Sequence, residues 1–500
     1  MAKIGVNSNA TGFTMSDLFG RTVLRTSLEE NELTPENIKT VLELILPIHF
    51  RNAQQIDYLY GYYRGNQDIL NKVKLVREDI NNKVVENSAY HIVEFKKSYV
   101  FGSPIQYVQN GLDWKDEIDK INKYMIENDK ASKDIDLAED RYITGTSYRM
   151  IFPEKSETTP FVIYNANPKD TAIVYSNDYK NTPLFAFYIT TKNDYSQNKV
   201  YYILTVYTKK RIYTYKTKMM DSGTQLKIDF VPETIENNTI NWLGYIPIIE
   251  YPLNKSRMGL IELVKSSLDT LNKISSNDID GIEQFIQSLL IFMNLDIDTT
   301  QFKEMVAAGA VKLKTIADSP NSKADIKSIV NQLQHSETKI LYDRVYNNML
   351  TIAGVPKMTD KSSSGDTGQA RLIGEGWIMA DERAKQDELS FKLSEKQMLN
   401  IAINICKNKN FTGIKQLNIS DMEIKFTRNK SDNLLVKAQA LINLMTAQVA
   451  PEVAFNVIGL FSDSNEVVNQ SKAYFGEDFW KKEEVKANLN TDDTNKVVSQ

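Results

Sequence analysis

The residues best suited to contact an anion lie in one polar stretch between two long helical patterns. Lys357 and Lys361 supply positive charge, while Asp360 and Asp366 limit how tightly a phosphate is held. The small residues of this stretch permit backbone rearrangement at low steric cost. They are Ser362, Ser363, Ser364 and Gly365. These residues could make transient, sequence-independent contacts with phosphates, but composition alone favours a surface loop without any such contact.

The sequence lacks motifs for catalysis. It has no Gly-x-x-x-x-Gly-Lys-Ser/Thr phosphate cradle, so ATP hydrolysis would have to come from a partner. His49, His91 and His335 are far apart, and none forms a His-Glu-x-x-His pair or joins cysteines at zinc spacing. Ser147 lacks the Gly-x-Ser-x-Gly frame of a hydrolase. The sequence therefore predicts a protein that is not an enzyme and that has no catalytic residues, metal or cofactor.

Charge alone favours an ordinary soluble acidic protein. A net charge of −4 and a pI near 5.7 argue against a protein that grips nucleic acid over a large basic surface. Weak contacts in a mildly acidic or mixed lining suit a conduit through which DNA moves. The competing interpretation is a metal-dependent nuclease. Its acidic clusters would bind magnesium, but no Asp/Glu spacing singles out a two-metal site.

The single cysteine and the hydropathy pattern indicate the cellular environment of the protein. Cys406 excludes an intramolecular disulfide, and its helical spacing with Ile401 and Ile405 predicts a buried position. Residues 1–27 lack the basic and apolar segments of a secretory signal. The most apolar run, 288–295, is far shorter than the ~20 residues that a bilayer requires. We expect a reducing environment and no membrane.

The elements that flank the polar stretch have clear end signals. Because Val355 precedes a proline, the incoming helix should end near Ala353, with Gly354 as a left-handed cap. Asp366 and Gln369 have the spacing of a capping box, so a second helix should start near residue 367. It should run to about residue 407, roughly 60 Å if unbroken, with a kink near Gly374 and Gly376.

Earlier parts of the chain alternate between helix and strand patterns. Thr34 and Pro35 mark a helix start, and helical periodicity then continues to about residue 139 with a break at 102–104. Residues 148–230 should form an antiparallel sheet, with Lys209 and Lys210 at a hairpin tip.

Helix returns near Met258 with an apolar stripe at alternating steps of three and four. Its packing residues include Leu260, Val264, Leu268, Leu271, Ile282 and Ile286. A helix in an unrelated bundle would show the same stripe. An insertion follows at 288–334, with strands expected at 289–295 and 311–316 and a helical piece at 300–307.

Several blocks of the chain together resemble the portal proteins of tailed bacteriophages, in the SPP1-like family. The first is a tyrosine-rich segment that leads into a glycine and a polar turn, and the last follows the long helix. In order, the blocks are 58–70, 87–107, 142–148, 354–370 and 424–429. No single block is diagnostic, and their order carries the resemblance, which covers most of 33–429.

The resemblance implies an α+β portal fold with a mostly helical wing and crown, an antiparallel sheet in the wing, a two-helix stem and a small α/β clip. The flexible N-terminal arm would be 1–33 and the flexible C-terminal tail 481–500. The remaining parts, in chain order, are the wing at 34–257, a stem helix at 258–287, the clip at 288–334, a stem helix at 335–354, the tunnel loop at 355–368, the long wing helix and return strand at 369–432, and the crown at 433–480.

The resemblance also implies a function and partners. Such a protein forms a ring, usually of twelve subunits, at one vertex of the virion capsid, and double-stranded DNA passes through it during packaging and ejection. The terminase large subunit and then head-completion proteins dock on the clip, major capsid and scaffolding proteins surround the ring, and assembly takes place in the host cytoplasm. The clip residues that this implies for docking are Leu295, Asp296, Lys312, Lys314 and Lys323.

Overall fold

The computed structural model of the protein contains both helices and sheets, which confirms the predicted α+β class. The described residues are 19–75, 78–110, 114–155, 158–194, 199–218, 238–286, 289–293, 300, 325–329, 335–357, 376–428, 434–458 and 464–476.

Ten α-helices lie in the described part of the chain. In chain order they are α1 Pro35–Tyr63, α2 Ser88–Phe101, α3 Lys115–Glu127, α4 Lys130–Thr144, α5 Leu260–Ile286, α6 His335–Ala353, α7 Trp377–Lys407, α8 Leu434–Thr446, α9 Pro451–Ile458 and α10 Ser464–Phe475.

The strands are short and form four sheets. In chain order they are β1 Leu24–Thr26, β2 Gln106–Gln109, β3 Thr146–Pro153, β4 Phe161–Ala166, β5 Thr171–Ser176, β6 Pro183–Asp194, β7 Lys199–Thr208, β8 Arg211–Lys218, β9 Asn238–Ile240, β10 Ile248–Pro252, β11 Leu289–Met293, β12 Asp325–Ile329 and β13 Met422–Lys425. The largest sheet has the order β1-β5-β6-β7-β8-β9, and a separate sheet has the order β10-β3-β4.

Helix α1 begins where its sequence signals predict and joins two hydrophobic cores. Thr34 Oγ1 accepts a hydrogen bond from the Asn37 N–H at 3.3 Å, and Pro35 is the first helical residue. Leu42, in its first half, packs against the large sheet. Tyr62, near its end, packs in the main core among the helices. Full burial of such side chains stabilises the fold by about 2 kcal/mol each, so α1 firmly connects the two cores.

The predicted arm over 1–33 is corrected in its second part. Strand β1 pairs in parallel with β5, with Leu24 opposite Val174. The Arg21 guanidinium pairs with Glu262 at the start of α5, and both side chains are almost fully buried. These partners lie far along the chain, so local composition could not reveal them. Residues 1–18 lie outside the described range.

The predicted antiparallel sheet is present, but it is divided and has one parallel edge. Strand β3 pairs with β10 on one side and with β4 on the other, in a sheet separate from the large one. The predicted hairpin tip is confirmed, because Lys209 and Lys210 connect β7 to β8. Residues 219–237 lie outside the described part.

The long helix α7 ends at Lys407, as predicted, but its described part begins at Trp377. Gly376 precedes it with a left-handed φ of +83°, so this glycine stands at a helix start rather than at a kink. Asp366, Gln369 and Gly374 of the predicted start lie outside the described residues. Strand β13 follows the helix and pairs antiparallel with β2.

Between α5 and α6, strand β11 pairs antiparallel with β12, with Leu289 opposite Ile329. Strand β11 is the first predicted strand of the insertion, and its observed partner is Asp325–Ile329, which the sequence pattern did not indicate. The predicted strand at 311–316 and the helical piece at 300–307, except residue 300, lie outside the described residues. Helices α8, α9 and α10 follow each other near the C-terminus, as the helical pattern there predicts.

Candidate functional site

Helices α5 and α6 form a hairpin, called here the stem hairpin, whose base lies in the main core. Four of the predicted packing residues are buried there, and they are Leu260, Val264, Leu268 and Leu271. Helix α6 adds Met349, Leu350 and Ala353 to the same core. The inner half of the hairpin is therefore anchored by apolar packing.

The outer half of the stem hairpin exposes apolar side chains. Ile282 on α5 is 40% exposed, and Ile340 on α6 is 69% exposed. Leu341 beside it is also exposed. The side chain of Ile286, the last predicted packing residue, lies outside the described part. The described part of the chain thus covers the inner part of the apolar stripe and leaves the outer part accessible to another molecule.

The segment between α1 and α2 is hydrogen-bonded to α5, and no sequence pattern predicted these contacts. This segment, residues 64–87, is called here the strap. The Val84 N–H donates to Ser276 Oγ at 2.9 Å, and the Glu86 N–H donates to Asn272 Oδ1 at 2.9 Å. The Asn82 N–H donates to Asp280 Oδ1 at 2.7 Å. Asn272, Ser276 and Asp280 recur every fourth residue, so they lie along one face of the helix.

Charge strengthens the outer end of the strap. Lys72 Nζ lies 2.8 Å from Asp280 Oδ2, and Lys74 contacts the same carboxylate. Burial would raise the pKa of Asp280, but the hydrogen bonds from the two lysines and from Asn82 outweigh it and hold the pKa below its ordinary value. Asp280 therefore stays ionised and binds the strap at neutral pH.

The strap also reaches the second helix of the stem hairpin. The Glu86 carboxylate accepts a hydrogen bond from Ser275 on α5 and lies against Tyr342 on α6. Burial, together with this nearby carboxylate, raises the pKa of Tyr342 to about 12. One acidic residue of the strap thus contacts both helices, and it fixes the hairpin as a pair.

The predicted end of α6 is confirmed at Gly354. Its φ is +68°, and the Val355 N–H donates to the Leu350 carbonyl at 2.9 Å. A Cβ at Gly354 would lie 3.0 Å from Arg383 Cγ and 3.1 Å from Lys96 Nζ. The left-handed backbone and the crowding both favour glycine at this position.

The two ends of segment 358–375 lie side by side. A Cβ placed on Gly376 would lie 3.9 Å from Pro356 Cα. The residue before α7 therefore lies beside the residues that follow α6. Of the predicted tunnel-loop residues, only the half-buried Lys357 is described, and Asp360, Lys361, Ser362, Ser363, Ser364, Gly365 and Asp366 lie outside the described range.

Basic side chains surround this junction. Lys96 is almost fully buried there, and Arg383 lies beside it against Gly354. Burial lowers the pKa of Lys96, and Asp387 partly offsets that effect. No sequence pattern predicts a role at the junction for Lys96 or Arg383, because only the fold brings α2 and α7 to Gly354. The predicted clip residues Leu295, Asp296, Lys312, Lys314 and Lys323 lie outside the described residues.

A buried ionic cluster lies behind the junction. Lys130 Nζ lies 2.6 Å from Asp134 and 2.8 Å from Glu395. Arg149 lies 2.7 Å from Asp134. Burial by itself would raise the pKa of Glu395, but Lys130 and Arg149 lower it below its ordinary value. Two acids match two bases, so the cluster ties α4, β3 and α7 together without an unpaired charge.

The remaining side chains that could take part in chemistry are buried or are not grouped together. Burial raises the pKa of the Cys406 thiol to about 12 and lowers the pKa of His49 to about 4. Among the described residues, no group of three or more His, Cys, Asp or Glu side chains is placed to hold a metal ion. No described helix is long and apolar enough to cross a membrane.

Comparison with known proteins identifies the family to which this chain belongs. Residues 42–474 match the model of the family described as "Phage portal protein, SPP1 Gp6-like", and the chain belongs to that family. Among individual proteins, it is 22% identical over 304 residues to the portal protein of Bacillus phage SPP1, an alignment that covers 54% of this chain. The aligned region spans 56% of that relative's length. The family match and this relative agree on a phage portal family.

Proposed function

We propose that this chain forms a closed ring at one vertex of the phage capsid, through which double-stranded DNA enters during packaging and leaves during ejection. Membership of the portal family supports a portal role. The observation on the molecule itself that carries the proposal is the stem hairpin, which is anchored at its base and apolar but uncovered at its outer half. Ring neighbours would cover that half.

Cyclic assembly needs two different faces on each subunit, because each copy meets one neighbour on either side. The outer stem offers Ile340 on α6 and Ile282 on α5. Helix α7 exposes Leu389 and Leu393, one turn apart. In the proposed ring, copies bury such faces against each other, and twelve copies are the expected number for this family.

The segment 355–368 acts as the tunnel loop in this proposal. Pro356, near its start, lies beside Gly376 at the start of α7, so the loop would extend from a fixed point on the scaffold. Lys357 and Lys361 would touch phosphates, while Asp360 and Asp366 keep those contacts weak. DNA would then slide past without regard to base sequence.

The end of the stem hairpin serves as the clip. There the residues from Leu295 to Lys323 would meet the terminase large subunit during packaging and head-completion proteins afterwards. Helices α8, α9 and α10 would form the crown inside the capsid, near the major capsid and scaffolding proteins. The ring would nucleate assembly of the head in the host cytoplasm.

A metal-dependent nuclease has no support. The comparisons return portal proteins, and among the described residues no acidic cluster suits a metal ion. The portal proposal therefore stands without a second candidate.

Electron microscopy of the purified chain, with mass measurement of the particles, tests the proposal. We expect rings with a central hole wide enough for duplex DNA. If the chain alone stays monomeric, scaffolding protein is added as a second condition. A chain that stays monomeric in both conditions, or that degrades DNA when magnesium is added, would contradict the proposal.

A further inference from the structure

A groove of about 940 Å³ lies between strand β2 and helices α3 and α4. Its walls are mostly apolar, and they include Val108 on the strand and Met125 and Ile126 on α3. Its floor is the Lys130–Asp134 pair of the buried ionic cluster. Ile126 is 76% exposed at the mouth, so the groove opens to the surface of the wing.

One edge of β2 faces this groove. The Asn110 N–H donates to the Asp421 carbonyl at 2.8 Å, so alternate residues of β2 bond to β13 and those between them face away. Tyr107 is one of the outward residues, and the Asn122 carboxamide satisfies it. Asn122 Nδ2 donates to the Tyr107 carbonyl at 2.9 Å, and Asn122 Oδ1 accepts from the Tyr107 N–H at 3.4 Å. The Asn122 side chain thus makes the two main-chain hydrogen bonds that a neighbouring strand would otherwise make with Tyr107.

The next outward residue, Gln109, has no such substitute. Its side chain is 8% exposed, and Oε1 is buried without a hydrogen-bond partner in the described part of the chain. The ladder alternation also turns its main-chain N–H and C=O toward the groove, where no described group pairs with them. Buried polar groups in folded proteins are normally paired. The groove therefore lacks a hydrogen-bond donor for Gln109 Oε1. It also lacks a strand residue that could pair with the main chain of Gln109.

We propose that an extended segment of a neighbouring copy of this chain adds to the free edge of β2 and fills the groove. This inference rests on the proposed ring, which places a second copy beside each wing. Strand addition would supply the missing main-chain groups, and apolar side chains at every second position would enter the groove. The Lys130–Asp134 pair at the floor of the groove carries no net charge, so the side chains that enter the groove need no charge.

The chain contains a segment with that pattern outside the described residues. Phe13 and Met15 are separated by Thr14 and flanked by Gly12 and Ser16. The stretch 11–16 carries no charge and no proline, so each of its residues can donate a main-chain hydrogen bond. The proposal commits to residues 11–16 of the neighbouring copy.

Photo-crosslinking in assembled rings tests this contact. The variant Ile126→p-benzoylphenylalanine is mixed with isotopically labelled chains, rings are isolated, and the adducts are sequenced by mass spectrometry after irradiation. We expect an adduct between position 126 of one copy and residues 11–16 of another. Phe13→Asp should reduce the adduct by about tenfold because it places a charge among apolar walls, whereas Phe13→Leu should retain it.

A matched control places the same photo-residue at Tyr179, which is 92% exposed on the turn between β5 and β6. This variant should give no adduct with residues 11–16. If Ile126→p-benzoylphenylalanine fails to fold, Lys115→p-benzoylphenylalanine probes the same groove from its exposed rim. Intact rings with no adduct, with an adduct inside one chain, or with an adduct to another segment would overturn this inference alone. Failure to form rings under any condition would contradict the ring proposal as well.

Discussion

Deletion of residues 361–365 tests the tunnel-loop proposal with little effect on the scaffold. The ends of segment 358–375 are fixed beside each other at Pro356 and Gly376. Shortening this segment by five residues therefore changes mainly its closure entropy. For a flexible segment the change is (3/2)RT times the logarithm of the length ratio, or about 0.3 kcal/mol. We expect a shift in melting temperature below about 1 °C and normal rings.

The functional effect should be much larger than the effect on stability. Cells infected with phage that lacks its own portal gene are supplied with the deletion variant, and DNA-filled heads are counted by electron microscopy and by nuclease-protected DNA. We expect assembled heads with impaired packaging or retention of DNA. A second variant replaces 361–365 by glycine and serine at unchanged length, which separates the loss of Lys361 from the loss of length.

Two outcomes would refute the reasoning. Normal numbers of DNA-filled heads would show that the segment does not act on DNA. A fall in melting temperature of several degrees would show instead that residues 361–365 belong to the packed scaffold, and the packaging defect would then have a structural cause.

Three further predictions concern the scaffold. Leu271→Ala, in the buried base of the stem hairpin, should lower the free energy of unfolding by about 2–5 kcal/mol in chemical denaturation, whereas the exposed Ile340→Ala should change it by less than about 0.5 kcal/mol and weaken ring assembly in sedimentation. Asp280→Asn should cost about 2 kcal/mol at pH 7. Because the folded pKa of Asp280 is lowered, this difference from the wild type should persist above pH ~4 and shrink as pH falls below it, and an undiminished difference at pH 3 would contradict the assignment. The pKa of His49 is lowered to about 4, so burial of its neutral ring contributes stability above pH ~6.5 that declines as pH falls toward 4. His49→Phe should reduce that acid-dependent loss in urea titrations, and an unchanged pH profile would count against it.

Local signals in the sequence predicted local structure well. The pre-proline position of Val355 and the glycine before it placed the end of α6 at Ala353, and Thr34 with Pro35 placed the start of α1. The apolar stripe from Leu260 to Leu271 identified the buried face of α5. In each case the physical cause lies within a few residues of the prediction, in backbone sterics, a capping hydrogen bond or helical spacing.

Contacts between distant parts of the chain were beyond the same reasoning. Lys72 and Lys74 look like surface charges until the fold brings Asp280 to them, about 200 residues away. Strand β1 has three residues, and it is held by pairing with β5 and by burial of Leu24 against α1, both distant in sequence. The groove beside β2 likewise depends on the unpaired side of Gln109, which is set by the register of β13. Such features follow from the topology of the whole chain, which local sequence patterns do not determine.

The spacing of the strap contacts gives the stem a directional mechanical response. Asn272, Ser276 and Asp280 lie about 6 Å apart along α5, and each holds the strap through a separate hydrogen bond. A pull along the helix axis loads the three bonds in parallel, so they must fail together. A sideways pull loads the outermost one first and peels the strap away in sequence. Force along the axis of α5 would therefore reach the strap with little loss, while lateral bending would be absorbed at the outer end of the stem hairpin.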